Sequence, residues 1–211
     1  MNIYEFSDSL RTLHGEGGAV MQKLVLGLMV LFLSGCAFNK QVVTLNPNVV
    51  VPKSSVGAGV TVALKVVDER PNTSLGHRGT AYGAAAEITT SQDMAQLIQE
   101  KIRKGLEDRG YKVVTGGASA DRQLAFELRD LTYSTSTGFW TGGVEIAGAL
   151  KTVGHSGSSN YEQLYRVSDK QRVVVVPTAD TNAAWMNTAL SELLQKVFSD
   201  TALDHFLVNG S

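Results

Sequence analysis

An uncharged run of ten apolar residues, Leu24 to Leu33, ends three positions before Cys36, the only cysteine in this chain of 211 residues. The run is too short to cross a bilayer as a helix, which takes about 20 residues. It is typical of the apolar core of a secretory signal peptide. Lys23 and the amine of a chain that begins at Met21 would supply the positive charge that precedes such a core. The folded part of the protein is therefore expected to follow this segment.

Leu33-Ser34-Gly35-Cys36 resembles the lipobox of bacterial lipoproteins, a leucine and two small residues before a cysteine. The resemblance implies that the Cys36 sulfur receives a diacylglycerol, that the signal is cut between Gly35 and Cys36, and that the new amine is acylated. A thiol is the strong nucleophile that thioether formation needs. In this class an aspartate after the cysteine favours inner-membrane retention, so Ala37 implies the outer membrane. The alternative is a buried cysteine in an ordinary signal peptide.

The twenty residues before Met21 contain Glu5, Asp8 and Glu16, and acidic residues there oppose the charge preference of a signal peptide. Our hypothesis is that Met21 is the true start and that residues 1–20 come from a misplaced start codon; a genuine extension is the alternative.

Prolines, glycines and serines between the cysteine and residue 59 predict an extended tether. The predicted divisions are a start extension (1–20), a signal peptide (21–35), the lipidated cysteine with its tether (36–58) and a single periplasmic domain (59–211).

After the tether, β-branched segments alternate with two amphipathic helices. The first helix is predicted between a capping box at Thr90–Asp93 and a stop at Gly110, because an apolar stripe runs from one to the other. A second stripe predicts a helix that begins at Asp180 or Thr181, followed by one short last turn over residues 202–207. Strands are predicted over residues 59–67, near 86–89, and over 111–114, 124–133 (with a register break), 144–153, 161–167 and 171–176.

The order of these elements predicts the α+β class, with an antiparallel β-sheet that carries two α-helices packed on one face.

Charged residues make up 18% of the chain and the formal net charge is −1, so a nucleic-acid partner is not expected. A single cysteine allows no internal disulfide and no cysteine-based metal site.

Residues that could carry catalysis are scattered. His77, His155 and His205 are far apart in the sequence and show no metal-ligand spacing. Residues 154–158 nearly match G-x-S-x-G, but a hairpin turn explains them better than a nucleophile. We therefore expect no enzymatic activity, no metal and no cofactor.

Residues 134–143 place Phe139 and Trp140 among glycine, serine and threonine at a predicted hairpin end. Exposed aromatic side chains on a rigid sheet could contact a glycan, a lipid or a protein partner. The alternative is that they fold back over the sheet. They are candidate partner-contact residues.

Four segments of the chain carry a family signal: "LNPNV", "VTVALKVVDERP", "MAQLIQEKIRKGLEDRGYKV" and "LSELLQKVFSDTALDHFL". In these segments the chain from Cys36 onward resembles the YajG family of bacterial outer-membrane lipoproteins. The resemblance implies a lipid-anchored protein that faces the periplasm of a Gram-negative bacterium, without an established enzymatic activity.

Two functions follow as hypotheses. The first is a non-catalytic domain, held at the outer membrane by the lipid on Cys36, that binds an envelope protein or another envelope component. The alternative is an accessory module of envelope lipid or glycan traffic that holds a ligand in a groove between the sheet and the helices. An apolar groove of a few hundred Å³ would favour the alternative.

Overall fold

Three long strands that follow one another in the chain form one side of the sheet in the computed structural model, which describes residues 40–78, 86–115, 119–137 and 142–210. The strands are β1 (Gln41–Val42), β2 (Thr61–Asp68), β3 (Gly76–Arg78), β4 (Ala86–Thr89), β5 (Lys112–Val114), β6 (Arg122–Thr137), β7 (Gly142–Ser156) and β8 (Ser159–Val173). The helices are α1 (Met94–Asp108), α2 (Ala179–Phe198) and α3 (Thr201–Asn209).

The sheet is mixed. Strands β6, β7 and β8 pair antiparallel along their whole length, and the predicted register break in β6 is confirmed as an irregularity between Leu128 and Asp130. The other edge of β6 pairs in parallel with β2 and, at Tyr133, with β3. Strand β5 extends the sheet beyond β2, and β4 and β1 extend it beyond β3.

The α+β class is confirmed, with two differences from the expected arrangement. The sheet is not antiparallel throughout, because the chain from β2 to β5 crosses over through α1 and returns in the same direction. The described residues also form three helices rather than two. Asp200 begins a separate helix immediately after α2, where the sequence predicted a short turn.

Helix starts depend on single side chains. Asp93, rather than Thr90, is the N-cap of α1, and its carboxylate accepts a hydrogen bond from the Gln96 backbone N–H. Thr178 caps α2 in the same way, through the Thr181 N–H. These hydrogen bonds satisfy donors that have no partner within the first turn of a helix.

One apolar core fills the space between the sheet and the helices. Leu193 of α2 lies against Gly148 of β7, and Phe206 of α3 lies against Gly154 of the same strand. These two glycines are on the same face of β7 because side chains alternate along a strand. No helix of the described residues is long and apolar enough to cross a membrane.

Most of the described part of the predicted tether is extended chain docked on the domain, and a turn over residues 56–59 ends it. Residues 43–51, which we call the strap, bury Val43 and Leu45 in the core. The Gln92 side chain accepts a hydrogen bond from the Leu45 N–H (2.6 Å) and donates one to the Leu45 carbonyl (2.9 Å). Lys101 of α1 donates to the Asn46 side chain. The strap therefore contributes to the same core as the sheet.

Helix α2 binds the backbone of the strap at regular intervals. The N–H groups of strap residues 46, 48 and 50 donate to the side chains of Asn187, Ser191 and Gln195. Two residues of extended chain advance about 6.7 Å and four helical residues about 6 Å, so the two repeats nearly coincide. This match lets an extended segment lie along a helix with one hydrogen bond per turn.

Candidate functional site

The site residues predicted from the sequence lie outside the described residues. Cys36 is the predicted lipidation site, Gly35 precedes the predicted cut and Ala37 is the predicted sorting residue. Phe139 and Trp140, the candidate contact residues, fall in the gap between β6 and β7. Their roles stay predictions.

A cavity of about 670 Å³ opens at the carboxyl end of β2, beside β4 and the start of α1. Its lining is polar except for Met94, and we call it the polar cavity. The residues that line it are Lys40, Asp68, Arg70, Asn72, Thr73, Ser74, Glu87, Thr89, Thr90, Ser91, Gln92, Asp93 and Met94. Such a lining can form many hydrogen bonds with a ligand, but it offers little apolar surface.

Arg70 is the most deeply buried charge of this cavity, with 3% of its side chain exposed. Its Nε donates to Asp68 Oδ1 (2.8 Å) and its Nη2 to Asp68 Oδ2 (2.7 Å), which is a bidentate pair. Burial alone would raise the pKa of Asp68, but the hydrogen bonds from Arg70 and its charge outweigh burial and lower that pKa. The Asp68 carboxyl therefore stays ionised at neutral pH.

The third nitrogen of the guanidinium has a different environment. Arg70 Nη1 is buried and has no hydrogen-bond partner among the described residues. A buried donor without a partner costs about 1–3 kcal/mol, and more when it is charged. An oxygen atom from a bound molecule would remove that cost.

The other charged side chains that line the cavity also interact within the protein, in an ion pair or as a helix cap. Lys40 Nζ lies 3.0 Å from Glu87 Oε2, and the hydrogen bond from Lys40 lowers the pKa of Glu87. Asp93 serves as the cap of α1. The lining contains two cations and three carboxylates, so it does not favour a polyanion.

A second cavity, of about 330 Å³, lies on the other side of the loop that follows Arg70. Arg70, Asn72 and Ser74 line both cavities. Tyr133 lines the second, and its hydroxyl is buried without a partner among the described residues. Burial raises the pKa of Tyr133 to about 12, so the hydroxyl keeps its proton. Each cavity is therefore bordered by a residue with a buried, unpartnered polar atom.

Leu75 and Gly76 hold this loop in place. Leu75 is fully buried, its N–H donates to Ile88, and its carbonyl accepts from the Tyr133 N–H. Gly76 has φ +133°, and a Cβ there would lie 2.0 Å from the Tyr133 carbonyl oxygen. Glycine is required at this position because both the backbone angle and the space exclude a side chain.

The described residues show no cluster that could hold a metal ion. No three His, Cys, Asp or Glu side chains of the described part lie close enough to hold an ion. The hairpin interpretation of residues 154–158 is confirmed, since β7 ends at Ser156 and β8 begins at Ser159. His155 Nδ1 lies 2.6 Å from Asn160 Oδ1 within this hairpin, rather than beside a serine nucleophile.

A second polar cluster joins β8 to the junction of α2 and α3. Tyr161 and Tyr165 both donate to Asp200 Oδ2, over 2.7 and 2.8 Å. Asp200 Oδ1 accepts from the backbone N–H groups of Ala202 and Leu203. Every oxygen of the carboxylate is satisfied, so this cluster stabilises the fold and offers no free group to a ligand.

Sequence reasoning missed Arg70. It assigned no role to this arginine or to Asp68, with which the arginine pairs. A usable signal was present, because residues two apart on an extended chain point to the same side and can pair. What the sequence does not show is that the loop buries this pair.

Comparisons with known proteins agree with this architecture. Residues 47–208 match the model of a family described as uncharacterized lipoprotein. The uncharacterized lipoprotein YajG of Escherichia coli strain K12 is 24% identical over 195 residues, which cover 89% of this chain and 97% of that protein. The same figures hold for YajG of strain CFT073. The crystal structure of protein XCC0632 from Xanthomonas campestris has the same fold, with a TM-score of 0.52 and 15% identity over 82% of this chain and 98% of that chain.

Proposed function

The chain belongs to this family of uncharacterized lipoproteins, and from that premise we propose that it is a non-catalytic binding module held at the outer membrane by lipid on Cys36. The lipobox and its position after an apolar signal support cleavage after Gly35. Ala37 in place of aspartate supports transfer to the outer membrane, where the domain faces the periplasm. Several buried acyl chains would hold it there firmly.

The buried guanidinium of Arg70 is the observation that carries the binding proposal. It lines the polar cavity, it is held rigidly by Asp68, and its Nη1 has no partner among the described residues. A ligand that places an oxygen acceptor on this side of the guanidinium satisfies a donor that the fold leaves unpaired. Arg70 lines both cavities, and we propose that the envelope component contacts the larger of the two, the polar cavity.

The lining also limits the chemistry of that component. Two cations against three carboxylates disfavour a polyanion, and the near absence of apolar side chains disfavours an acyl chain. A neutral molecule rich in hydroxyl and amide oxygens, such as an envelope glycan, fits best. Phe139 and Trp140 are proposed to add an aromatic contact to the same partner.

The sheet–helix groove of the alternative hypothesis is not favoured. Where the described part of α1 and α2 faces the sheet, Ile98, Ile102, Leu190 and Leu193 are fully buried against it. Their side chains fill the space that a carried ligand would need.

The anchor is tested by Cys36→Ser. We expect this variant to lose incorporation of labelled fatty acid and to keep its signal segment, since a hydroxyl cannot replace the thiol in thioether formation. Gel mobility and intact mass measure both effects. Normal processing of the variant would refute the lipid anchor.

The binding site is tested by Arg70→Lys on the lipidated protein in envelope membranes. Lysine keeps the charge but lacks the planar donor fork, so we expect capture of glycan fragments by photo-crosslinking to fall about tenfold or more. Arg166→Lys, an exposed arginine of β8, is the matched control and should bind as the parent does. Equal capture of glycan fragments by both variants would refute the proposal that the polar cavity is the binding site.

A further inference from the structure

Three consecutive valines at one end of the domain are exposed. Val174, Val175 and Val176 are 80, 76 and 53% exposed, and we call them the valine segment. They connect the end of β8 to the N-terminus of α2, and the chain carries no charge from Val173 to Ala179. Adjacent exposed apolar side chains indicate an interaction surface.

The valine segment lies at the same end of the domain as the first described residues of the chain. With its amide oxygen turned toward the neighbouring donors, Gln41 accepts a hydrogen bond of 3.2 Å from the Ala179 backbone N–H, at the start of α2. The next residue, Val42, is itself 59% exposed. The described chain therefore begins beside an apolar surface.

Chain length limits how far this surface can lie from the lipid. Cys36 precedes Gln41 by five positions, and five residues span at most about 18 Å. This step rests on the lipidation of Cys36 put forward under the proposed function. A lipid on Cys36 would keep Gln41, and with it the start of α2, close to the membrane surface.

We propose that the valine segment enters the phospholipid leaflet that holds the Cys36 lipid, so that the domain rests on the membrane in one orientation. The segment offers apolar side chains without charge to the acyl region. Lys170 and Arg172, which precede it on β8, are exposed and can meet the headgroups.

The test uses the lipidated protein with Val175→Cys, reconstituted in vesicles of phosphatidylethanolamine and phosphatidylglycerol. Lipidation consumes the Cys36 sulfur, so the new cysteine is the single free thiol and takes one environment-sensitive fluorophore. We expect its emission to move to shorter wavelength and to be quenched by spin labels carried on the lipid chains.

Val56→Cys is the matched control, because Val56 is a 52% exposed valine at the opposite end of the strap, where Gly57 binds Arg109 after α1. Its fluorophore should show neither effect. Val174→Ser with Val176→Ser, added to the Val175→Cys protein, should abolish the shift while the acyl chains keep the protein on the vesicles.

Each other outcome overturns the proposal in a recognisable way. A fluorophore at Val175 that behaves like the one at Val56 refutes membrane contact and leaves the anchor intact. A shift that grows with protein density at constant lipid indicates a second copy of the chain instead of the bilayer. Two labelled thiols per chain would refute lipidation, and the inference would fall with it.

Discussion

Asp200 joins three elements through one carboxylate. It follows α2, caps α3 and accepts hydrogen bonds from two tyrosine hydroxyls of β8. Burial alone would raise the pKa of Asp200, but the hydrogen bonds from Tyr161, Tyr165, Leu203 and Ala202 outweigh it and lower that pKa. The tyrosine pKa values are raised, chiefly by burial, so both hydroxyls remain donors.

A lowered pKa makes Asp200 a source of pH-dependent stability. Its contribution is complete above the ordinary aspartate pKa of 3.8 and is lost as the pH falls through the lowered value in the folded protein. We expect Asp200→Asn to lower the free energy of unfolding by about 1–2 kcal/mol at pH 7 and by less at pH 3. Urea unfolding at the two pH values measures the difference.

Asp93→Asn is the control for this prediction. Asp93 also caps a helix, but its side chain has no tyrosine donors, and asparagine caps a helix about as well as aspartate. Its replacement should change stability by less than about 0.5 kcal/mol. An Asp200→Asn effect that is equally small, or the same at both pH values, would contradict the role of the tyrosine hydrogen bonds.

Helix α1 packs against the end of α2 at a glycine. A Cβ on Gly105 would lie 2.2 Å from the Phe198 ring. Arg109, at the end of α1, lies 5.5 Å over the same ring and donates to the Phe198 carbonyl and to Asp204 of α3. The three helices therefore meet at one close contact.

Gly105→Ala should reverse the usual effect of this change. In an open helix, alanine in place of glycine gains about 1 kcal/mol. Here the methyl group would overlap the ring, and we expect a loss of about 1–3 kcal/mol in the free energy of unfolding. Chemical denaturation of the single variant and of the double variant with Phe198→Leu measures the coupling.

The smaller side chain should restore most of the loss, since it removes the ring that the methyl group meets. A stabilised single variant, or a double variant that merely adds the two effects, would refute the contact.

Helices α1 and α2 were predictable because their apolar stripes have a strong period, whereas the shorter α3 was predicted only as a turn. The long antiparallel strands were located by the alternation of their side chains, although β8 was predicted as two strands rather than one. The pairing of β2 with β5 and β6 was not predictable, since register between distant strands depends on packing rather than on local pattern. The sequence of the strap predicted a tether because Pro47 and the exposed polar residues beside it hide an alternation of buried and exposed side chains with a period of two. Arg70 was missed for a related reason, since its burial depends on the position of a loop.

At the scale of the whole molecule, the docked strap shortens the chain that is free to separate the domain from its proposed anchor. As a free tether, residues 36–58 could extend about 75–80 Å. With residues 43–51 docked along α2, only the few residues before Lys40 separate Cys36 from the described domain. The proposed lipid would then hold the domain close to the bilayer.

Removing the side chains that bind the strap should loosen it selectively. We expect Asn187→Ala, Ser191→Ala and Gln195→Ala together to speed amide hydrogen exchange at strap residues 46, 48 and 50, because those N–H groups lose their acceptors. Exchange in β6 should not change.

Thr188→Ala is the matched control, since its hydroxyl donates only to Ala184 of the same helix. Unchanged exchange in the strap of the triple variant would show that buried side chains alone hold it.

The hydrogen bonds between the strap and α2 join residues 141 to 145 positions apart. The strap is therefore synthesised first, but the helix that receives it is synthesised almost last. On the proposed export route, a chain that crosses the inner membrane as it is made cannot close this contact until nearly its whole length has crossed. Contacts of such sequence separation form slowly. The proposed lipidation of Cys36 can thus precede docking, and the newly anchored chain would carry Val43 and Leu45 exposed until α2 arrives.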